Sequence, residues 1–172
     1  MQLPDTGERL TKARFDELHA SAQPHMVVIH SNTQEMVDAV IPNPLVMIAS
    51  DGLKGHPRNA GTYSRILAQY VREKKSITLM DAIRKMTLMP AQVLEKATPA
   101  AHVKGRLQEG ADADVVVFDP QTITDRATYQ SPMEPSGGVR YLVVGGTLLV
   151  DQGKLVPEVF PGRALARASR GQ

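Results

Sequence analysis

The 172-residue chain contains no cysteine and no tryptophan, and aromatic residues make up only 4% of it. Without cysteine, the chain has no disulfide bonds and no thiolate ligands for a metal. No stretch approaches the roughly 20 apolar residues that a membrane-spanning helix needs. The polar opening residues also lack the apolar segment of a signal peptide. These absences predict a cytoplasmic protein without a membrane partner.

The charges are nearly balanced, with 20 Lys and Arg residues against 18 Asp and Glu residues. The small basic excess is not interleaved with aromatic residues, as a nucleic-acid-binding surface would require. We therefore expect no nucleic-acid partner. The chain is long enough to bury one hydrophobic core of ordinary size.

The first part of the chain alternates predicted helices and strands. Short helices are predicted over 11–20, with Thr11 as N-cap, and over 33–40. Apolar runs at 26–30 and 45–49 have the composition of strands that are buried on both faces. The order strand, helix, strand with short connections favours a parallel βαβ crossover.

An apolar stripe at helical spacing predicts a longer helix over 62–75. Its members are Tyr63, Ile66, Leu67, Tyr70 and Val71. Thr78 begins a capping-box-like pattern for the next helix, and Pro90 suits the first position of another.

The pattern changes after about residue 95, where strands replace helices. Strands are predicted over 111–120, 139–144 and 147–150. The pair Gly145-Gly146 between the last two is a strong hairpin signal. We therefore expect an α/β portion over 1–95 and a small β portion over 96–172.

The most informative stretch of the sequence joins the apolar run 45–49 to Asp51, His56 and Arg58. An acidic residue at the carboxyl end of a buried strand lies where α/β barrels keep their chemistry. The alternative interpretation is an Asp-Gly turn with exposed polar residues behind it. A complete eight-stranded barrel needs about 200 to 250 residues, so residues 1–95 have room for about two βα units.

Several motifs together resemble one enzyme family. They are Met-Ile-Ala-Ser-Asp-Gly-Leu at 47–53, His-Pro-Arg at 56–58, Gly-Arg-Leu-Gln-Glu-Gly-Ala-Asp-Ala-Asp at 105–114 and Asp-Arg-Ala-Thr-Tyr at 125–129. In this order they are similar to the last part of the N-acyl-D-amino-acid deacylases, or D-aminoacylases, of the amidohydrolase superfamily. The resemblance covers about residues 40–165.

The resemblance implies a fold and a reaction. The fold is a TIM-like (β/α)8 metal-dependent hydrolase barrel, with 1–95 as its last βα units and 96–172 as part of a small β-sandwich domain. In such enzymes a zinc-activated water cleaves the amide bond of an N-acylated D-amino acid, which is the expected small-molecule partner.

By position, Asp51 matches the aspartate that contacts the metal and shuttles a proton, a task suited to a carboxylate beside Zn²⁺. Arg58 matches the arginine that binds the α-carboxylate of the substrate. His56 and His30 are weaker candidates for substrate binding.

The sequence departs from the family in the short Gly-Leu-Lys-Gly segment before His56 and in the metal ligands. It has no His-x-His motif and no later pair of ligand histidines, so Asp51 would bind zinc only together with N-terminal ligands supplied from elsewhere. We therefore expect the isolated chain to be inactive and to hold no stoichiometric metal. Its partner would be the missing N-terminal barrel portion or a second copy of itself.

Two other functions remain open at this point. The chain could be a non-catalytic binding or assembly domain. It could also belong to a cyclic-amide hydrolase, similar to dihydroorotases or hydantoinases, although the His-Pro-Arg and Arg-Ala-Thr-Tyr motifs favour the acyclic branch.

Overall fold

A computed structural model of the chain describes residues 1–52 and 55–165. The α-helices are α1 (Lys12–Ala20), α2 (Gln34–Val40), α3 (Arg58–Arg65), α4 (Leu79–Met86) and α5 (Leu88–Leu94). Helix α3 continues as a π-helix over Ile66–Glu73, and a 3₁₀-helix follows at Pro99–Val103. The strands are β1 (Val115–Phe118), β2 (Val139–Val144), β3 (Thr147–Asp151) and β4 (Lys154–Leu155). Within these described ranges, every helix is too short or too polar for a transbilayer span.

Threonine side chains begin three of the helices. The hydroxyls of Thr11, Thr33 and Thr78 each accept the backbone N–H three residues further along the chain. Each of these bonds satisfies a donor that the first helical turn would otherwise leave unpaired. The predicted starts of α1, α2 and α4 are therefore confirmed. Pro90, predicted to open a helix, lies at the third position of α5 instead.

The two predicted parallel strands are wrong. Residues 26–30 form only an isolated bridge between Val28 and Gln2, and residues 45–49 form no strand at all. Met26 and Leu45 are exposed, Leu45 to 86%. An apolar run becomes a strand only when neighbouring strands accept its hydrogen bonds and cover its faces. The described residues supply no such neighbours, so the predicted βαβ crossover does not form.

The predicted helix over 62–75 is confirmed, but it begins earlier and changes its winding. Ile66, Leu67 and Tyr70 are buried as expected, whereas Tyr63 is largely exposed. The prediction assumed 3.6 residues per turn throughout the helix, whereas the π-helical part has a wider turn. Positions before and after Arg65 therefore face different sides, and Tyr63 does not share the buried face of Ile66, Leu67 and Tyr70.

The β portion is one antiparallel sheet with the strand order β1-β2-β3-β4. Gly145 and Gly146 connect β2 and β3 with φ angles of +54° and +80°, the left-handed pair that a two-residue type I′ turn requires. The predicted hairpin is therefore confirmed. Of the predicted strand over 111–120, only β1 is formed.

The hydrophobic core draws on both portions of the chain. Its buried members are Ile41, Ile48, Ile66, Leu67, Tyr70, Ala82 and Ile123. Phe118 of β1 and Val139 of β2 pack against this cluster from the sheet. The helices and the sheet thus share one core, while the proposed boundary near residue 95 stays a prediction.

Gly61 in α3 lies directly against Asp125, whose side chain is only 9% exposed and pairs with Arg65. A Cβ atom on Gly61 would overlap the Asp125 carboxylate. Asp125 also accepts the N–H of Ala127. Gly61 therefore lets the loop after β1 dock onto α3.

We predict that Gly61→Ala destabilises the chain by about 1–3 kcal/mol because of this overlap. Alanine would otherwise be favoured over glycine in a helix. Urea unfolding measures the change. In the Asp125→Ala variant, where the carboxylate is absent, Gly61→Ala should cost less free energy of unfolding than it does in the original chain. An equal cost in both would contradict the proposed contact.

Candidate active site

The structure brings Asp51 and Arg58 together. The Oδ2 atom of Asp51 lies 3.0 Å from Nη2 of Arg58, and the Asp51 side chain is 86% exposed. The sequence predicted Asp51 at the carboxyl end of a strand, and this prediction is wrong, since residues 45–49 form no strand. Asp51 lies outside the helices and strands, with a φ angle of +45°, a left-handed conformation that is compatible with the Asp-Gly alternative. Leu53 and Lys54, from the short segment before His56, lie outside the described residues.

His56 lies two residues before α3, which begins at Arg58. Its Nδ1 atom accepts the backbone N–H of Arg58 at 3.1 Å. The first helical turn has unpaired N–H groups, and here an imidazole nitrogen satisfies one of them. His56 thus holds the main chain at Arg58 in place, which agrees with a loop-supporting role.

Tyr129 lies between two histidines. Its ring contacts His56 and His30 edge-on, with centroid distances of 5.2 Å and 5.1 Å, and its hydroxyl is 3.3 Å from Nε2 of His56. Since Nδ1 of His56 accepts a hydrogen bond, Nε2 carries the hydrogen in the neutral ring and donates to Tyr129. The Tyr129 hydroxyl keeps its own hydrogen for another acceptor.

His30 is fixed from its other side by Gln2. The Nε2 atom of His30 is 3.0 Å from Oε1 of Gln2, and the Gln2 amide donates to the carbonyl of Gly7 at 2.8 Å. His30 itself is exposed, whereas Gln2 is buried. The two predicted histidines, His30 and His56, therefore both contact the same ring, that of Tyr129.

The sequence predicted no role for Tyr129 or Gln2 in this site. The motif at 125–129 was a signal for Tyr129, although its contacts with His30 and His56 depend on long-range packing. Gln2 had no signal, because its contacts depend on how the first residues fold back beside Val28.

The environment of the site favours neutral imidazoles. Burial lowers the pKa of His56 below the ordinary value for histidine, and the positive charge of Arg58 acts in the same direction. Contributions from His30 and Arg65 also lower it, and Asp51 opposes them. The pKa of His30 is also lowered, mainly by partial desolvation of its ring beside Gln2 and Tyr129, although the residue as a whole is exposed.

We predict that the stability of the chain falls between pH 7.5 and 5.5, partly through His56. The folded-state pKa lies below the unfolded value of about 6.5. The unfolded chain therefore binds more protons as the pH falls through that value, and the free energy of unfolding declines. Urea unfolding across this pH range measures the slope.

His56→Asn is the matched variant, since its amide oxygen can still accept the Arg58 N–H while the side chain no longer titrates. It should show a shallower decline. An unchanged slope would contradict the prediction.

A catalytic zinc needs at least three protein ligands. No group of three His, Cys, Asp or Glu side chains in residues 1–52 and 55–165 is placed to hold a metal, and Asp51 is paired with Arg58. The described residues therefore do not form a zinc site by themselves.

The site brings a carboxylate, a guanidinium and two imidazoles near one another, groups that can transfer protons and bind anions. A model of the amidohydrolase family matches residues 10–150. The chain belongs to this amidohydrolase family.

The similar proteins within the family are deacylases, as the motifs predicted. The chain is 43% identical over 125 residues to an N-acyl-D-glutamate deacylase of Alcaligenes xylosoxydans xylosoxydans, covering 70% of this chain and 24% of that protein. It is 33% identical over 168 residues to an N-acyl-D-aspartate deacylase of the same organism, covering 94% and 32%. The chain thus spans about a quarter to a third of the length of these relatives.

Solved structures show the same likeness. The N-acyl-D-glutamate deacylase of Bordetella bronchiseptica, complexed with zinc and a phosphonate inhibitor, superposes with a TM-score of 0.67 at 38% identity over 77% of this chain and 27% of that one. A D-aminoacylase superposes with a TM-score of 0.65 at 32% identity over 73% and 26%. The predicted resemblance is confirmed, and the chain shares the mixed helix and sheet arrangement of these proteins.

Proposed function

We propose that this chain is the C-terminal part of a zinc-dependent amidohydrolase that cleaves N-acyl-D-amino acids. In this proposal residues 1–95 complete a TIM-like barrel and residues 96–172 belong to a small β-sandwich domain. The deacylase relatives, the family match over 10–150 and the shared order of motifs support it.

The observation that carries the proposal is the state of Arg58. Its Nη2 atom binds a carboxylate, that of Asp51, while its Nε atom is buried and has no hydrogen-bond partner within the described part of the chain. Buried donors are normally satisfied. This unpaired donor and the 34% exposure of the Arg58 side chain support a guanidinium that binds a second carboxylate, from a substrate, in addition to that of Asp51.

Asp51 has the freedom that a proton carrier needs. Its side chain is largely exposed, and among residues 1–52 and 55–165 it has one charged partner, Arg58. We assign to it the transfer of a proton from the attacking water to the leaving amine. Water and the amide thereby give a carboxylic acid and a free D-amino acid, with no other reactant.

Zinc in the proposed complete enzyme would be held mainly by residues outside the described part of this chain, with Asp51 as the contribution from this side. The zinc complex of the Bordetella relative supports this assignment.

Exposed apolar side chains indicate where the rest of the barrel would pack. The extended segments near Met26, Ile29, Leu45 and Met47 leave these side chains exposed, and neither segment belongs to a sheet. Apolar surface of this kind usually marks an interface. We propose that the N-terminal barrel portion covers it, and that a second copy does so when that portion is absent.

The test is a chimera of the Alcaligenes N-acyl-D-glutamate deacylase in which this chain replaces the matching part. Amine release is measured with N-acetyl-D-glutamate, N-acetyl-D-aspartate and N-acetyl-D-leucine, with the L-enantiomers, dihydroorotate and a hydantoin as controls. We expect turnover of N-acyl-D-amino acids only. Hydrolysis of the cyclic amides alone would replace the proposal with the dihydroorotase-like alternative, and a folded, zinc-loaded but inactive chimera would favour a non-catalytic domain.

A further inference from the structure

Lys85 in α4 is buried, with only 3% of its surface exposed. No carboxylate in the described ranges lies within salt-bridge distance of its ammonium group. Lysine is almost never fully buried without a partner, because removing a charge from water is costly. Its burial therefore needs a reason that the core packing does not supply.

The side chain of Lys85 and its carbonyl both make hydrogen bonds to one segment, residues 43–48. Its ammonium donates to the carbonyl of Val46 at 2.9 Å and to the carbonyl of Asn43. Its own carbonyl accepts the N–H of Ile48 at 3.0 Å. One residue of α4 thus binds residues 43–48 at three places, through both side chain and main chain.

Residues 47–52, which lead from this segment to Asp51, have little else to hold their main chain. The N–H of Ile48 makes the single backbone hydrogen bond recorded for residues 47–52 among the described residues, and no strand pairs with them. The Ile48 side chain is anchored in the core. Asp51 follows three residues later, so the position of its carboxylate depends on this anchor.

We propose that Lys85 is a positioning residue for Asp51: its ammonium and carbonyl fix residues 43–48 on α4, so that the chain delivers the Asp51 carboxylate to Arg58. Lys85 is not a catalytic residue, because it does not touch the site. The structural part of this inference is independent of the proposed function, and its effect on turnover rests on that function.

Arg84 provides a matched control. It is the neighbouring cation of α4 and is exposed. Within the described ranges, the side-chain hydrogen bonds from α4 to residues 43–48 come from Lys85 and not from Arg84. Arg84→Met therefore removes a positive charge from the same helix and leaves the anchor intact.

The first measurement is amide hydrogen exchange on the full 172-residue chain, followed by NMR. In Lys85→Met, Ile48 should exchange at least about tenfold faster than in the original chain, since the loss of bonds to a charged group loosens the segment locally. Amides of the β2–β3 hairpin should keep their rates, and Arg84→Met should leave Ile48 unchanged. Equal protection of Ile48 in Lys85→Met and the original chain would overturn the proposal.

Where Lys85→Met does not fold, Lys85→Gln is judged by the same criterion, because it removes the charge but keeps a polar group in the cavity. A proportional rise in exchange at Ile48 and at the hairpin would show a general structural role and would also overturn the proposal.

The second measurement is turnover per folded molecule in the chimera described above. Lys85→Met should lower kcat about tenfold or more with little change in KM, since Arg58 remains fixed by His56. Equal losses in Lys85→Met and Arg84→Met would exclude positioning. A folded, zinc-loaded chimera that is inactive before any substitution would refute the proposed function, while the exchange experiment would still decide the role of Lys85.

Discussion

Asp51→Asn is expected to lower turnover of the complete enzyme by about three orders of magnitude or more, comparable to the loss of a proton-transferring group elsewhere. Asparagine has nearly the same size and can still accept a hydrogen bond from Arg58. It cannot take up a proton from water or pass one to the leaving amine. Amine release by the Asp51→Asn chimera, measured at saturating substrate, tests this expectation.

The exposure of Asp51 separates this effect from folding. An ion pair between exposed groups contributes only about 0–1 kcal/mol, so urea unfolding should show little change in stability. Asp151→Asn, an exposed position at the end of β3, is the control and should retain full turnover. Near-normal turnover in Asp51→Asn would remove the catalytic assignment.

Arg58→Lys should raise KM for N-acyl-D-amino acids by about 10²-fold and change kcat much less. A lysine ammonium is a point charge and cannot offer two parallel N–H donors to a carboxylate. Steady-state kinetics with N-acetyl-D-glutamate and with its α-carboxamide measure the effect. The ratio of KM for the α-carboxamide to KM for the acid should be smaller in Arg58→Lys than in the original chimera.

Arg65→Lys is the matched control on the same helix. Arg65 pairs with Asp125, so its replacement should affect stability more than substrate affinity. If Arg58→Lys and Arg65→Lys raise KM equally, Arg58 does not bind the substrate carboxylate.

Local signals in the sequence predicted the local structure well. Threonine caps and the glycine pair between β2 and β3 act through hydrogen bonds and φ angles a few residues apart, so the sequence displays their whole mechanism. The runs at 26–30 and 45–49 failed because a parallel strand is defined by its neighbours. Their composition is suited to a sheet whose other strands are absent from the described residues.

The site was predictable in part for the same reason. Asp51, His56 and Arg58 are close in sequence, and the motifs placed them together correctly. Tyr129 and Lys85 act through long-range contacts that no periodicity reveals. From sequence alone, Lys85 would be predicted to be exposed, because its carbonyl partners Asn43 and Val46 are found only in the folded structure.

The contact between His56 and Tyr129 also has a consequence for recombination between related sequences. The two residues are 73 positions apart, one at the start of α3 and the other in the loop that docks on that helix. A genetic crossover between them would join a histidine from one parent to an aromatic residue from another. Hybrids of divergent parents therefore retain this contact only where both parents carry the same pair.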